Sequence, residues 1–156
     1  MLLSDNTKFL QSDIEFAAKI YGTPVHIFNV NLKTNLYKVL SEIAAYDVLL
    51  AVPDNVIYNR QSIRNILLTT YRHEQVVLGF SRGMVKAGAL ATTAVEVSDL
   101  VAETKVWLKA YRKTTQLPKP DYSSSFNVFI NDHVARSFNI NVDSEKIRQE
   151  IVKENQ

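Results

Sequence analysis

Apolar residues recur along this chain in two rhythms, short unbroken runs and longer stretches at helical spacing, and the two alternate. Leu2-Leu3 has room only for the stub of a strand. Across residues 9–21, Phe9, Leu10, Ile14, Ala17, Ala18 and Tyr21 fall close to a 3.6-residue period, and Gly22 follows as a stop. Residues 24–30 predict a strand. Residues 35–45 predict a helix with Leu36, Val39, Leu40 and Ile43 on one face. The run Val48-Leu49-Leu50-Ala51-Val52 has the character of a parallel strand buried on both faces, and Pro53-Asp54-Asn55 punctuates it. Residues 60–72 repeat the helical scheme through Ile63, Ile66, Leu67 and Thr70, and residues 76–80 predict another buried strand. After a short turn or helix around residues 84–87, residues 89–93 predict a fifth strand. Residues 98–113 then predict a helix whose apolar face is Leu100, Val101, Thr104, Trp107, Leu108 and Tyr111, with Trp107 and Tyr111 expected in the core.

Beyond that helix, residues 117–125 hold two prolines and three serines and predict an extended loop. Residues 126–130 alternate as a strand, residues 132–138 predict a short helix, and residues 143–153 another with Asp143 or Ser144 as its cap. Strands alternating with helices imply βαβ units and a parallel sheet covered on both faces. The expected fold is a three-layer α/β sandwich around a mostly parallel five-stranded sheet of flavodoxin-like order, 2-1-3-4-5. It is read as a single α/β unit over residues 1–156, with its body in 1–115 and an extension in 116–156.

In sheets of this kind ligands sit beyond the carboxyl ends of the strands, at the switch point. Here that point falls between the first and third strands. The first strand ends at Ser4, Asp5, Asn6 and Thr7, the second at Asn29. The third ends at Asp54 and Asn55, with Tyr58 and Asn59 just beyond, and the fourth ends at Phe80, Ser81 and Arg82. Short polar side chains of this kind donate and accept hydrogen bonds at close range. Helix N-termini after most of them would present backbone N–H groups to an anionic ligand group, and Asp54 would suit an ammonium. Any one of these residues is equally at home as an N-cap; the signal is their shared edge.

Composition narrows the function. Eighteen basic and sixteen acidic residues leave a formal charge of +2, and the basic residues are scattered, so no nucleic-acid partner is expected. The absence of cysteine excludes disulfides, thiolate metal sites and a cysteine nucleophile. No apolar run reaches the roughly 18 residues that cross a membrane, and the opening Met1-Leu2-Leu3-Ser4-Asp5 is too short for a signal peptide, so an export signal is expected upstream of it. The phosphate-binding, zinc-protease and nucleophile-elbow motifs are missing, and His26, His73 and His133 lack metal-ligand spacing. Neither a cofactor nor a metal is expected.

Three segments together resemble a known family. Asp47-Val48-Leu49-Leu50-Ala51-Val52-Pro53-Asp54-Asn55 is similar to the aspartate, hydrophobic run and Pro-Asp-Asn of ABC-transporter substrate-binding proteins with the type I periplasmic-binding fold. Val77-Leu78-Gly79-Phe80-Ser81 followed by Val85-Lys86-Ala87-Gly88-Ala89-Leu90-Ala91 resembles a second segment of that family. Leu117-Pro118 and Val128-Phe129-Ile130-Asn131 with Ala135 resemble its ending. The order agrees over residues 16–142. The resemblance implies a C-terminal lobe, a missing N-terminal lobe, and a small solute such as an amino acid held between lobes that close about a hinge. It also implies an ABC permease as partner and a periplasmic or other extracytoplasmic location. The chain departs from the family in showing one lobe, and in Val76-Val77 where the family has proline. Two other classes remain open: a sensory or regulatory module on the same fold, and a small α/β enzyme, for which no nucleophile–base pair is found.

Overall fold

The computed structural model describes every residue except Pro118, Pro120, Asp121, Tyr122, Ser124, Asn155 and Gln156. The expected loop at 117–125 therefore lies partly outside the described residues. The elements run β1 (Leu2–Leu3), a 3-10 turn (Lys8–Leu10), α1 (Gln11–Ile20), β2 (Phe28–Asn29), α2 (Leu36–Ile43), β3 (Val48–Leu50) and α3 (Ile63–Arg72). They continue β4 (Val76–Leu78), α4 (Arg82–Ala87), β5 (Ala91–Ala94), α5 (Val97–Thr114), β6 (Asn127–Ile130), α6 (Asp132–Ser137) and α7 (Ser144–Glu154). Every helix foreseen from periodicity is present, and the strands are shorter than their apolar runs.

Local chemistry sets most helix boundaries. The Asn35 side chain accepts from the backbone N–H groups of Tyr37 and Lys38 and starts α2. Asn131 does the same for α6 through His133 and Val134, and its amide also donates to the Val85 carbonyl at 2.8 Å, tying β6 to α4. Asp143 accepts from the Lys146 N–H at 2.9 Å, the cap that starts α7. Gly88 ends α4 at φ +126, a conformation L side chains rarely adopt.

The architecture is α/β with a mostly parallel sheet, as expected, but the sheet is divided. β1 pairs in parallel with β2, while β3, β4, β5 and β6 form a second sheet in that order. β3–β4 and β4–β5 are parallel, and β6 runs antiparallel to β5 with Ala94 opposite Asn127. The single five-stranded sheet is thus corrected to a two-stranded and a four-stranded piece. Among the described residues no backbone ladder joins β1 to β3. The physical reason lies at the end of β1: the Ser4 N–H turns to the Asp54 carboxylate instead of to a neighbouring strand.

Helices cover both faces. On one, Leu49 and Val77 pack with Val39, Leu40 and Ile43 of α2, Ile66 and Leu67 of α3, and Met84. On the other, Val76 and Leu90 pack with Ala135, Val134, Phe138 and Ile140. β3 is the exception. Val48 and Leu50 stand in register with Val76 and Leu78, on the second face, yet are 46% and 38% exposed. The expectation that β3 is buried on both faces fails there. So does the placement of Trp107 and Tyr111 in the core, since α5 contributes no buried residue and these two are 41% and 43% exposed. Periodicity had marked the face correctly, but the described residues leave it about half exposed.

Candidate functional site

At the end of β1 the chain makes a tight polar turn. Ser4 and Thr7 are buried, whereas Asp5 and Asn6 are exposed. The Asn6 N–H donates to Ser4 Oγ at 3.1 Å, and Lys8 Nζ lies 3.1 Å from an Asp5 oxygen at the surface. Across the gap, the loop after β3 carries Asp54, also buried. Its Oδ2 accepts from Thr7 Oγ1 at 2.6 Å and from the Ser4 N–H at 3.1 Å. Its Oδ1 accepts from the Val56 N–H at 2.9 Å and the Ile57 N–H at 3.4 Å. Both oxygens are therefore engaged within the chain. Burial on its own raises the Asp54 pKa, but the hydrogen bonds from Thr7, Ser4 and Val56 outweigh it, and the net result lies below the ordinary carboxylate value. Asp54 is an ionised staple between β1 and the loop after β3.

Two adjacent cavities open at this edge. One, of about 480 Å³, is lined by Ser4, Asp5, Asn6, Asn31, Leu32, Lys33 and Val56. The other, of about 650 Å³, has an aromatic and aliphatic wall of Phe9, Leu10, Pro53, Tyr58 and Phe80, with Asn6, Thr7, Asp54 and Asn55 at its polar side. Asn6 belongs to both, and its amide donates to the Asn55 side-chain oxygen at 3.2 Å, an exposed bridge between the two loops.

The expected site residues divide on this geometry. Ser4, Asp5, Asn6, Thr7, Asp54 and Asn55 come together around the cavities. Asn29, Ser81 and Arg82 line neither. Asn29 ends an edge strand two residues from Asn31, which does reach the first cavity. Ser81 accepts from the Met84 N–H and caps α4. Arg82 is held away by Glu96 at 2.6 Å and by the Phe129 ring, 4.3 Å below its guanidinium carbon.

The apolar wall was not foreseen. Phe80 and Tyr58 stood beside the polar strand ends, but Phe9 counted as part of a helix face. An aromatic residue in the first turn after a strand is the one sequence signal that pointed to it. Tyr58 stands out chemically. It packs edge-on to Phe80 with ring centroids 5.8 Å apart, and its buried hydroxyl has no hydrogen-bond partner among the described residues. Burial, and secondarily the Asp54 carboxylate, hold its pKa well above the usual tyrosine value, so the hydroxyl keeps its proton. A buried hydroxyl without a partner is unfavourable by about 1–3 kcal/mol. Tyr58→Phe is accordingly expected to leave the melting temperature unchanged or raise it in calorimetry. A loss of more than about 1 kcal/mol would mean that a bound water or a neighbouring group satisfies it.

Among the described residues no three His, Cys, Asp or Glu side chains converge as metal ligands, and no helix is long and apolar enough to cross a membrane.

No family profile matches the sequence, and no characterised protein matches it by sequence. The fold does have solved relatives. A substrate-binding protein with adhesive properties from Clostridium difficile, in its ligand-free open form, superposes with a TM-score of 0.74 at 17% identity, over 92% of this chain and 50% of that one. An ABC domain from Streptococcus pneumonia in complex with L-Trp gives 0.68 at 20% identity, over 94% and 51%. A conserved domain protein from Vibrio cholerae O1 biovar eltor str. N16961 also gives 0.68, at 17% identity, over 94% and 51%. The chain spans about half the length of these structures, and its fold is similar to that half of each.

Proposed function

We propose that this chain is one lobe of a two-lobed substrate-binding protein and captures a small solute, without chemically changing it, at the edge where β1, β3 and β4 end. The observation that carries this reading is the pair of cavities around Asn6, polar on the side of Asn6, Thr7 and Asn55 and apolar on the side of Phe9, Tyr58 and Phe80. Such a pocket fits an amphipathic solute of amino-acid size, with a flat or branched apolar body and a polar head. The L-Trp held by one of the similar structures supports that ligand class. Delivery to an ABC permease outside the cytoplasm is the role this reading assigns, in agreement with the resemblance at Pro53-Asp54-Asn55 and Val85 to Ala91.

One lobe supplies half of a pocket, so the expected affinity is weak, with Kd about 1 mM, or roughly −4 kcal/mol. Titrating the labelled chain with L-tryptophan and a panel of other amino acids, followed by amide NMR, is the direct test. Shifts are expected at Asn6, Thr7, Asn55 and Phe80. Asn55→Ala should weaken binding by several-fold while leaving the fold intact, because its side chain is exposed. Shifts confined to another face, with this edge silent throughout the panel, would overturn the placement. A sensory module on the same fold would bind in the same cleft, and separating it from transport requires the partner.

A further inference from the structure

The apolar wall of the larger cavity contains one polar atom that nothing in the described chain uses. Tyr58 is 9% exposed and lines that cavity with Phe9, Leu10, Pro53 and Phe80, and its hydroxyl is the buried side-chain group without a partner among the described residues. The residue is pinned and cannot swing out to water. Its N–H donates to the Asp54 carbonyl at 2.8 Å. On its other side, Asn59 Oδ1 accepts from the Gln61 and Ser62 N–H groups at 3.0 and 3.1 Å. Ile57, just before it, is buried, and the Tyr58 ring itself packs in the core beside Phe80. Phenylalanine would fill the same space without burying an unmet hydrogen-bonding group. A polar atom set in an apolar wall is satisfied by a solute that brings its complement.

The surroundings decide which complement fits. Asp54 is ionised, and its negative charge acts on the Tyr58 hydroxyl. A hydroxyl hydrogen turned toward that anion leaves the oxygen lone pairs free to accept. The same field disfavours an anionic group here and favours a donor. The wall can also adjust as a body enters, since Phe9 is 72% exposed and side chains at binding sites commonly change rotamer. We propose that Tyr58 Oη sets the specificity of this cavity by accepting a hydrogen bond from a donor on the solute's apolar body, a ring N–H or a phenol O–H. An aromatic amino acid that carries such a donor is then preferred over one of the same shape that lacks it. The inference rests on the ligand-capture reading above and adds to it the part of the solute that Tyr58 reads; the polar head is left to Asn6, Thr7 and Asn55 on the opposite side of the cavity.

Two pairs of probes separate the donor from the shape: L-tryptophan against its benzothienyl analogue, in which sulfur replaces the ring N–H, and L-tyrosine against L-phenylalanine. Titrations of the labelled chain, followed at Asn6 and Asn55, should show the donor member of at least one pair binding about three- to tenfold more tightly. Tyr58→Phe should abolish that preference by weakening the donor alone, with the isostere unchanged and the melting temperature not lowered. In the wild type, the ring carbon that bears the Tyr58 hydroxyl, labelled with carbon-13, should shift with the donor and not with its isostere. Equal affinities within both pairs, or a preference that survives Tyr58→Phe, overturn the inference and leave the cleft in place. A Tyr58→Phe chain that is destabilised without ligand also overturns it, by showing that water or a neighbour already satisfies the hydroxyl. An edge silent to all four probes overturns the capture reading, and this inference with it.

Discussion

Asp54→Ala is expected to cost about 3–4 kcal/mol of folding stability, since each buried donor left without a partner costs about 1–3 kcal/mol. Four donors converge on this carboxylate; the Ser4 N–H keeps a second acceptor in Thr7 Oγ1 at 3.1 Å, so the loss falls on Thr7 Oγ1 and on the Val56 and Ile57 N–H groups. For a chain of this size the loss lowers the melting temperature by roughly 10 °C. Asp54→Asn separates the two jobs of the residue. Asparagine caps a turn nearly as well as aspartate, so a residue that only capped would tolerate the change. Here the amide NH₂ must face at least one donor, and about 2 kcal/mol should be lost. The pH dependence has a definite sign. The folded pKa lies below the unfolded value of about 3.9, so the contribution is complete above that value and disappears as pH falls through the folded pKa. Calorimetry from neutral pH down to strong acid should show the wild type losing this increment while Asp54→Asn does not. Parallel curves for the two proteins would mean that the carboxylate is not the staple.

The second large effect is expected at Gln75, far from the cleft. Its side chain is 2% exposed, and Nε2 donates at 2.8 Å to both the Ile43 and Tyr46 carbonyls. It thereby joins the Ile43 carbonyl at the C-terminal end of α2, which also accepts from the Tyr46 N–H at 3.1 Å, to the Tyr46 carbonyl in the turn beyond. Gln75→Ala strands the Tyr46 carbonyl, leaves the Ile43 carbonyl with only the Tyr46 N–H at 3.1 Å, and opens a small void, for a loss of about 2 kcal/mol. Gln75→Glu keeps the shape but aims a carboxylate at two carbonyl oxygens. That glutamate must protonate to fold, so its folded pKa is raised above the unfolded value of about 4.3. Its stability is then greatest in acid and falls as pH rises, the reverse of the Asp54 behaviour. Denaturant melts of the two Gln75 variants at acid and neutral pH check this. A Glu variant as stable as wild type at neutral pH would show that the Tyr46 carbonyl has another donor.

Much of this was legible from residues alone. Asp143, expected as a cap, is one; Asn35, expected inside its helix, and Asn131 are caps as well, a role that depends only on a few neighbouring residues. The strand-end cluster was legible because the C-terminal edge of a parallel sheet collects whatever follows each strand. What failed were statements that depend on distant partners. Val48-Leu49-Leu50 looks buried on both sides, and periodicity cannot say whether a helix will lie over Val48 and Leu50. The α5 stripe was read correctly as apolar, yet an apolar face does not declare what covers it. Asp54 was assigned a ligand ammonium or a cap; no local pattern shows that Thr7 and Ser4 will reach it across 47 and 50 residues of chain.

The division of the sheet has a mechanical side. β1 and β2 form a narrow leaf fastened to a four-strand plate by core packing and, at the cleft, by the Asp54 carboxylate and the exposed Asn6–Asn55 bridge. Hydrogen-bonded strands move together as a plate, while a seam held by a side chain can shear. The floor of the pocket is therefore a joint. Its width follows the distance from Ser4 to Asp54, and a solute pressing on the Asn6–Asn55 bridge acts on that joint rather than on a rigid wall.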